Sequence, residues 1–184
     1  CQKPRLQVLP IIGPIDFTAT QDTIYHKLKP FSLTNQLGEN YTLDSLKGKI
    51  HVAEFFFSRC PGVCPIMKKK MKMITERFNN EPGFKIVSFT VDPYHDTVEN
   101  LKRYSDSLGI NADQWSLLTG ESFELQAIAS ESYLQANVRD TLSLNHSQSF
   151  VLIDKDFQIR GLYDGTDSLS VSMLIEDIEL LLNN

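Results

Sequence analysis

The chain has 184 residues, 41% of them apolar and 22% charged, with a formal net charge of −5. That length supports one domain with a full hydrophobic core. The acidic balance gives a nucleic-acid role little electrostatic support, and no apolar run approaches the roughly 18 residues that cross a bilayer.

Residues 1 to 27 lack sustained periodicity and read as a tether or irregular arm, leaving 28–184 as the domain. FSLTNQLGENYTL, Phe31 to Leu43, reads as a β-hairpin, with Asn35, Gly38 and Asn40 supplying the turn chemistry. KIHVAEFFFS, Lys49 to Ser58, is nearly all apolar and predicts a buried central strand. The spacing of Met67, Met71, Ile74 and Phe78 predicts a helix from Pro65 to about Asn79. FKIVSFTVD, Phe84 to Asp92, is a second central strand. Asp96 or Thr97 caps the next helix, which runs to Leu108 and stops at Gly109. WSLLTG is a short strand, with Trp115 packing at the sheet edge. Glu121 to Leu134 is a helix, SFVLID and FQIRGLYDG form a hairpin around Lys155, and Leu169 to Leu182 is a closing amphipathic helix. Strands alternating with helices indicate an α/β domain with a mixed sheet.

The chemistry concentrates in SRCPGVCP, Ser58 to Pro65. Pro61 and Pro65 push the residues before them out of the α region, and Pro65 suits the first position of a helix. Cys60 to Cys64 is then a tight loop at a helix N-terminus, with Gly62 permitting the turn. Unpaired N–H groups and the helix dipole favour a thiolate there. A thiolate is both the nucleophile of disulfide exchange and a ligand for a soft metal. A structural zinc site needs more ligands than one cysteine pair. Redox chemistry, metal binding, or both remain open.

A strand, a cysteine loop and a helix, followed by a βαβ unit and a β-hairpin, resemble the thioredoxin superfamily. Two features depart from it: the spacing is C-x-x-x-C, and no proline follows Pro93 to face the thiols. The details are instead similar to the Sco family (SCO1/SenC). FFFSRCPGVCP resembles its Cys-Pro-x-x-Cys-Pro segment, FTVDPYHDT its Val-Asp-Pro stretch, and LNHSQSFVLIDKDFQIRGLYDG the segment that carries its third copper ligand. The resemblance implies a thioredoxin-like fold: a mixed central sheet flanked by helices, with a hairpin towards the N-terminus. It implies copper, Cu(I) or Cu(II), held by Cys60, Cys64 and His146. It also implies a metallochaperone that serves the copper-accepting subunit of cytochrome c oxidase, not an enzyme in the turnover sense. A thiol reductase that keeps the pair reduced is a further implied partner. The alternative is a thiol–disulfide oxidoreductase or redox sensor working through Cys60 and Cys64. Gly62 stands where many members carry an acidic residue.

Cys1 resembles the lipidated first residue of a mature bacterial lipoprotein, tethered to the periplasmic face of a membrane, with the Pro-containing segment after it as the tether. Asp92, at the end of a central strand, is expected to orient the site loops through backbone N–H groups. His95 reads as part of a helix-entry turn or as an auxiliary metal group, His51 as a structural hydrogen-bonding residue. His26 carries no signal. Met67 and Met71 read as core; Lys68, Lys69, Lys70 and Lys72 read as a solvated face or a dock for an acidic partner.

Overall fold

The computed structural model describes residues 8–60, 62, 64–135 and 148–183, apart from the side chain of Cys64. The arm carries β1 (Ile15–Phe17) and β2 (Thr23–Tyr25), an antiparallel pair outside the main sheet. Then come β3 (Ser32–Asn35), β4 (Asn40–Thr42), a 3-10 turn (Leu43–Leu46), β5 (Ile50–Phe56), α1 (Cys64–Arg77), β6 (Phe84–Thr90) and α2 (Val98–Leu108). The chain continues through β7 (Trp115–Thr119), α3 (Ser122–Ala127), a π turn (Ile128–Ser132), β8 (Ser149–Ile153), β9 (Ile159–Asp164) and α4 (Ser168–Leu182).

The main sheet has the order β4-β3-β7-β6-β5-β8-β9. Strands β5, β6 and β7 run parallel; β8 is antiparallel to β5, and β3 to β7. Every residue of β5 is buried, as its apolar run requires of a strand covered on both faces. Alternation along β5 divides the core in two. Ile50, Val52 and Phe56 meet Met67, Met71, Ile74 and Phe78 of α1, Leu101 of α2 and Leu174 of α4. Ala53 and Phe55 face the other way, against Phe31, Phe89, Leu125 and Tyr133. Met67 and Met71 are core residues, in keeping with their spacing.

Thr97 caps α2 by accepting from the Asn100 N–H, and Gly109 ends it in the left-handed region at φ 62°. Three differences from the sequence reading stand out. The arm is not wholly irregular, because β1 and β2 pair; each has only three residues, all exposed, too short for a periodic signal. Trp115 is not at an edge. It is buried on β7, between β3 and β6, and its indole N–H donates to Ser88 Oγ at 2.8 Å. The helix expected over 121–134 is regular only to Ala127 and then widens, with the Tyr133 N–H donating to the Ile128 carbonyl. That turn seats Tyr133 among Phe55 and Phe89 and presents the Ser132 carbonyl to His26 Nε2 at 2.7 Å. His26 therefore ties the arm to the domain. Gly13 lies against it at φ +132°, where an added Cβ would stand 2.6 Å from the His26 Cβ.

Candidate metal centre

Two parallel strands of the sheet centre, β5 and β6, deliver the site. They end together, with Phe56 opposite Thr90. The chain leaving β5 turns through Phe57, and the Cys60 N–H donates to the Phe57 carbonyl at 3.2 Å. Cys60 is half-buried and packs on the α1-side core. Cys64 opens α1, one residue earlier than expected from Pro65. The Cys64 side chain and the whole of His146 and Cys1 lie outside the described residues. The chain re-enters at Gln148 just before β8, whose start lies alongside the end of β5 from which the Cys60 turn leaves.

Two carboxylates hold the residues that precede Cys60. Asp92 takes Arg59: the Nε and one Nη approach the same Oδ2 at 3.1 and 2.9 Å. Asp92 thus steadies the turn through a guanidinium, and among the described residues of the turn the backbone N–H of Ser58 goes to Asp96. Asp96 is fully buried. Its Oδ2 accepts the Ser58 N–H at 3.1 Å and the Thr90 hydroxyl at 2.6 Å; its Oδ1 accepts the Ser58 hydroxyl at 2.5 Å. His95 Nδ1 lies 3.0 Å from the same Oδ1. Because a carboxylate oxygen accepts, Nδ1 is the donor of this contact. Among the described residues, no three His, Cys, Asp or Glu side chains converge closely enough to hold a metal.

Of the two cap candidates in the sequence, Asp96 and Thr97, it is Thr97 that caps α2, and no sequence motif singles out Ser58, Arg59 or Thr90. The available signal was position: carboxylates in a loop after a central parallel strand, facing the C-terminal sheet edge where functional groups collect. Nor does a motif single out Glu54. This carboxyl sits mid-strand, facing α1, and accepts from Ser88 Oγ at 2.7 Å, while burial pushes its pKa up to about 7. On the opposite face, burial pushes His51 down to about 3, and its Nε2 lies 3.1 Å from the Tyr133 hydroxyl. A Cβ placed on Gly62 would stand 3.9 Å from Cys60 Sγ, ordinary contact, so the space in front of the thiol admits a side chain. On α1, Lys68 lies over the Tyr104 ring and Lys70 reaches Ser168 Oγ, while Lys69 and Lys72 are exposed.

The family model for SCO1/SenC matches residues 19–183. The chain belongs to the SCO1/SenC family. A SCO1/SenC family lipoprotein from Bacillus anthracis superposes with a TM-score of 0.77 at 30% identity, covering 85% of this chain and 95% of that one. BsSco, a member of the Sco family of cytochrome c oxidase assembly proteins in which a disulfide switch has been identified, superposes at 0.71 with 28% identity, covering 85% and 94%. Yeast Sco1, solved with copper bound, shares the fold at 0.64 and 24% identity, covering 85% and 94%. As in those Sco structures the fold is mixed α/β, and a two-stranded sheet lies near the N-terminus of this chain. Among the described residues, no helix of this Sco protein is long and apolar enough to cross a membrane.

Proposed function

We propose that the protein is a copper-binding assembly factor that delivers copper to cytochrome c oxidase or helps insert it, at the dinuclear copper centre. Cys60 and Cys64 supply two thiolates and His146 an imidazole. Two soft sulfurs and one nitrogen suit Cu(I), and an added oxygen ligand accommodates Cu(II). The observation that carries the reading is the extent of the family match. It runs from residue 19 to 183 and takes in all three donors, in a chain whose Cys60 turn is braced at the sheet edge by Asp92 and Asp96. The copper-bound state of yeast Sco1 and the oxidase-assembly role of BsSco's family support the same cargo and client.

The client is the copper-accepting subunit of the oxidase. A Cys60–Cys64 disulfide removes both thiolates, so a thiol reductase keeps the site competent. Lipid on Cys1 tethers the protein at the periplasmic face of a membrane, a reading supported by the lipoprotein relative from B. anthracis. Direct thiol–disulfide exchange by the same pair is the second reading, favoured by the disulfide switch identified in BsSco.

The test is a Cu(I) titration of the reduced protein against a competing chelator, with Cys60→Ser and His146→Ala alongside. One tightly held Cu(I), weakened strongly in both variants, supports the chaperone. Absence of binding sinks it. Turnover of a client disulfide unaffected by His146→Ala favours the oxidoreductase.

A further inference from the structure

Asp96 contributes no ligand to the site described above, yet it is buried to zero exposure beside it. A buried carboxylate is unfavourable unless its lone pairs are filled. Here four contacts fill them, and two end on Ser58, through its N–H and its hydroxyl. A third comes from Thr90, the last residue of β6, which is itself paired with Phe56 of β5. The closed circuit runs from β6 through Asp96 to Ser58 and back into β5. Ser58 is two residues from Cys60, so their Cα atoms stand within about 7.6 Å. Arg59, between them, is held by Asp92. Both residues that precede Cys60 are therefore held by carboxylates from the β6–α2 connection.

We infer that Asp96 is a positioning residue of the cysteine loop. By clamping Ser58 to the end of β6 it sets Cys60 in place before the metal arrives, so that copper binding does not have to order the turn. The inference rests on the copper reading above for its consequence, and on the hydrogen bonds alone for the clamp. Groups that hold a metal's ligands in place change its affinity by about 10–100-fold when removed.

The experiment compares Cu(I) affinity, by chelator competition on reduced protein, in the wild type, Asp96→Asn, Ser58→Ala and Tyr163→Phe. The last removes a buried hydrogen bond from the Tyr163 hydroxyl to Asp177, between β9 and α4, as a control for stability alone. Apo melting temperature, the sulfur-to-copper absorption of the Cu(II) form and exchange of the Ser58 amide are read on each. Asp96→Asn should bind Cu(I) about 10–100-fold more weakly, with altered absorption and a deprotected Ser58 amide. Ser58→Ala keeps the N–H bond and should fall between Asp96→Asn and wild type. Tyr163→Phe should lower the melting temperature while leaving affinity within about twofold.

A folded Asp96→Asn with wild-type affinity and absorption overturns the inference. So does affinity that merely tracks melting temperature across all three variants. If Asp96→Asn does not fold, Ser58→Ala decides, and unchanged affinity there is refutation. If the wild type binds no Cu(I), the copper reading falls. Ser58 exchange in the apo protein then decides the clamp: unchanged protection in the folded Asp96 or Ser58 variant overturns it, and lost protection supports it.

Discussion

Glu54→Gln should change how stability depends on pH, and β5 supplies the magnitude. Glu54 and His51 are both buried, on opposite faces of one strand, and burial shifts them in opposite directions. Glu54 moves from 4.5 to about 7. Its folded pKa is raised, so its contribution is complete below about 4.5 and is lost as pH rises through about 7. His51 moves from 6.5 to about 3. Its folded pKa is depressed, so its contribution is complete above about 6.5 and is lost as pH falls through about 3.

Each proton is worth about 1.4 kcal/mol per pH unit inside its window. Between about pH 4.5 and 6.5 the two slopes oppose and nearly cancel, which gives the wild type a flat profile from this pair. Glutamine keeps an oxygen for the Ser88 hydroxyl and does not titrate. The stability of Glu54→Gln minus that of the wild type should therefore rise by about 3 kcal/mol from about pH 4 to pH 8. Taking the difference cancels every group that the substitution leaves alone. The assay is urea unfolding of reduced apo protein at several pH values. Trp115, the single tryptophan of the chain, gives the signal, and it donates to the same Ser88 that donates to Glu54. A difference that stays constant within about 0.5 kcal/mol over that range would refute the reasoning.

Met71→Ala should destabilise the protein by about 2–5 kcal/mol in urea unfolding and leave the Cu(I) stoichiometry unchanged, because Met71 is buried in the core and is not among the proposed copper donors. Gly62→Asp places a carboxylate in front of Cys60 Sγ, where like charge disfavours the thiolate; alkylation of Cys60 in a Cys64→Ser background should slow at neutral pH, and an unchanged rate contradicts this. Gly13→Ala collides with His26 at a positive φ and should release the arm, seen as faster amide exchange at His26 and across β1 and β2, with β5 unaffected.

Local signals carried most of the fold. The apolar run of β5, the 4-3-4 spacing on α1 and the Thr97 and Gly109 caps each correspond to one physical requirement that a short window contains. The π turn after α3 was not legible, because it answers to distant residues: Tyr133 joins an aromatic cluster from β5 and β6, and Ser132 meets His26 of the arm. The same distinction divides the site. The cysteine pair announces itself by spacing, with prolines on both sides. Asp96 does not, because its role depends on Ser58, 38 residues away, arriving at the same sheet edge. Buried Glu54 was equally invisible, since one acidic letter inside FFF-flanked sequence says nothing of the Ser88 and Trp115 that satisfy it.

The central claim is that Cys60, Cys64 and His146 hold copper together. X-ray absorption at the copper edge, on reduced protein loaded with one Cu(I), tests it most directly. The account predicts a first shell of two sulfurs and one nitrogen, with one sulfur lost in Cys60→Ser and the nitrogen lost in His146→Ala. A shell without sulfur, or one unchanged by both substitutions, would contradict it.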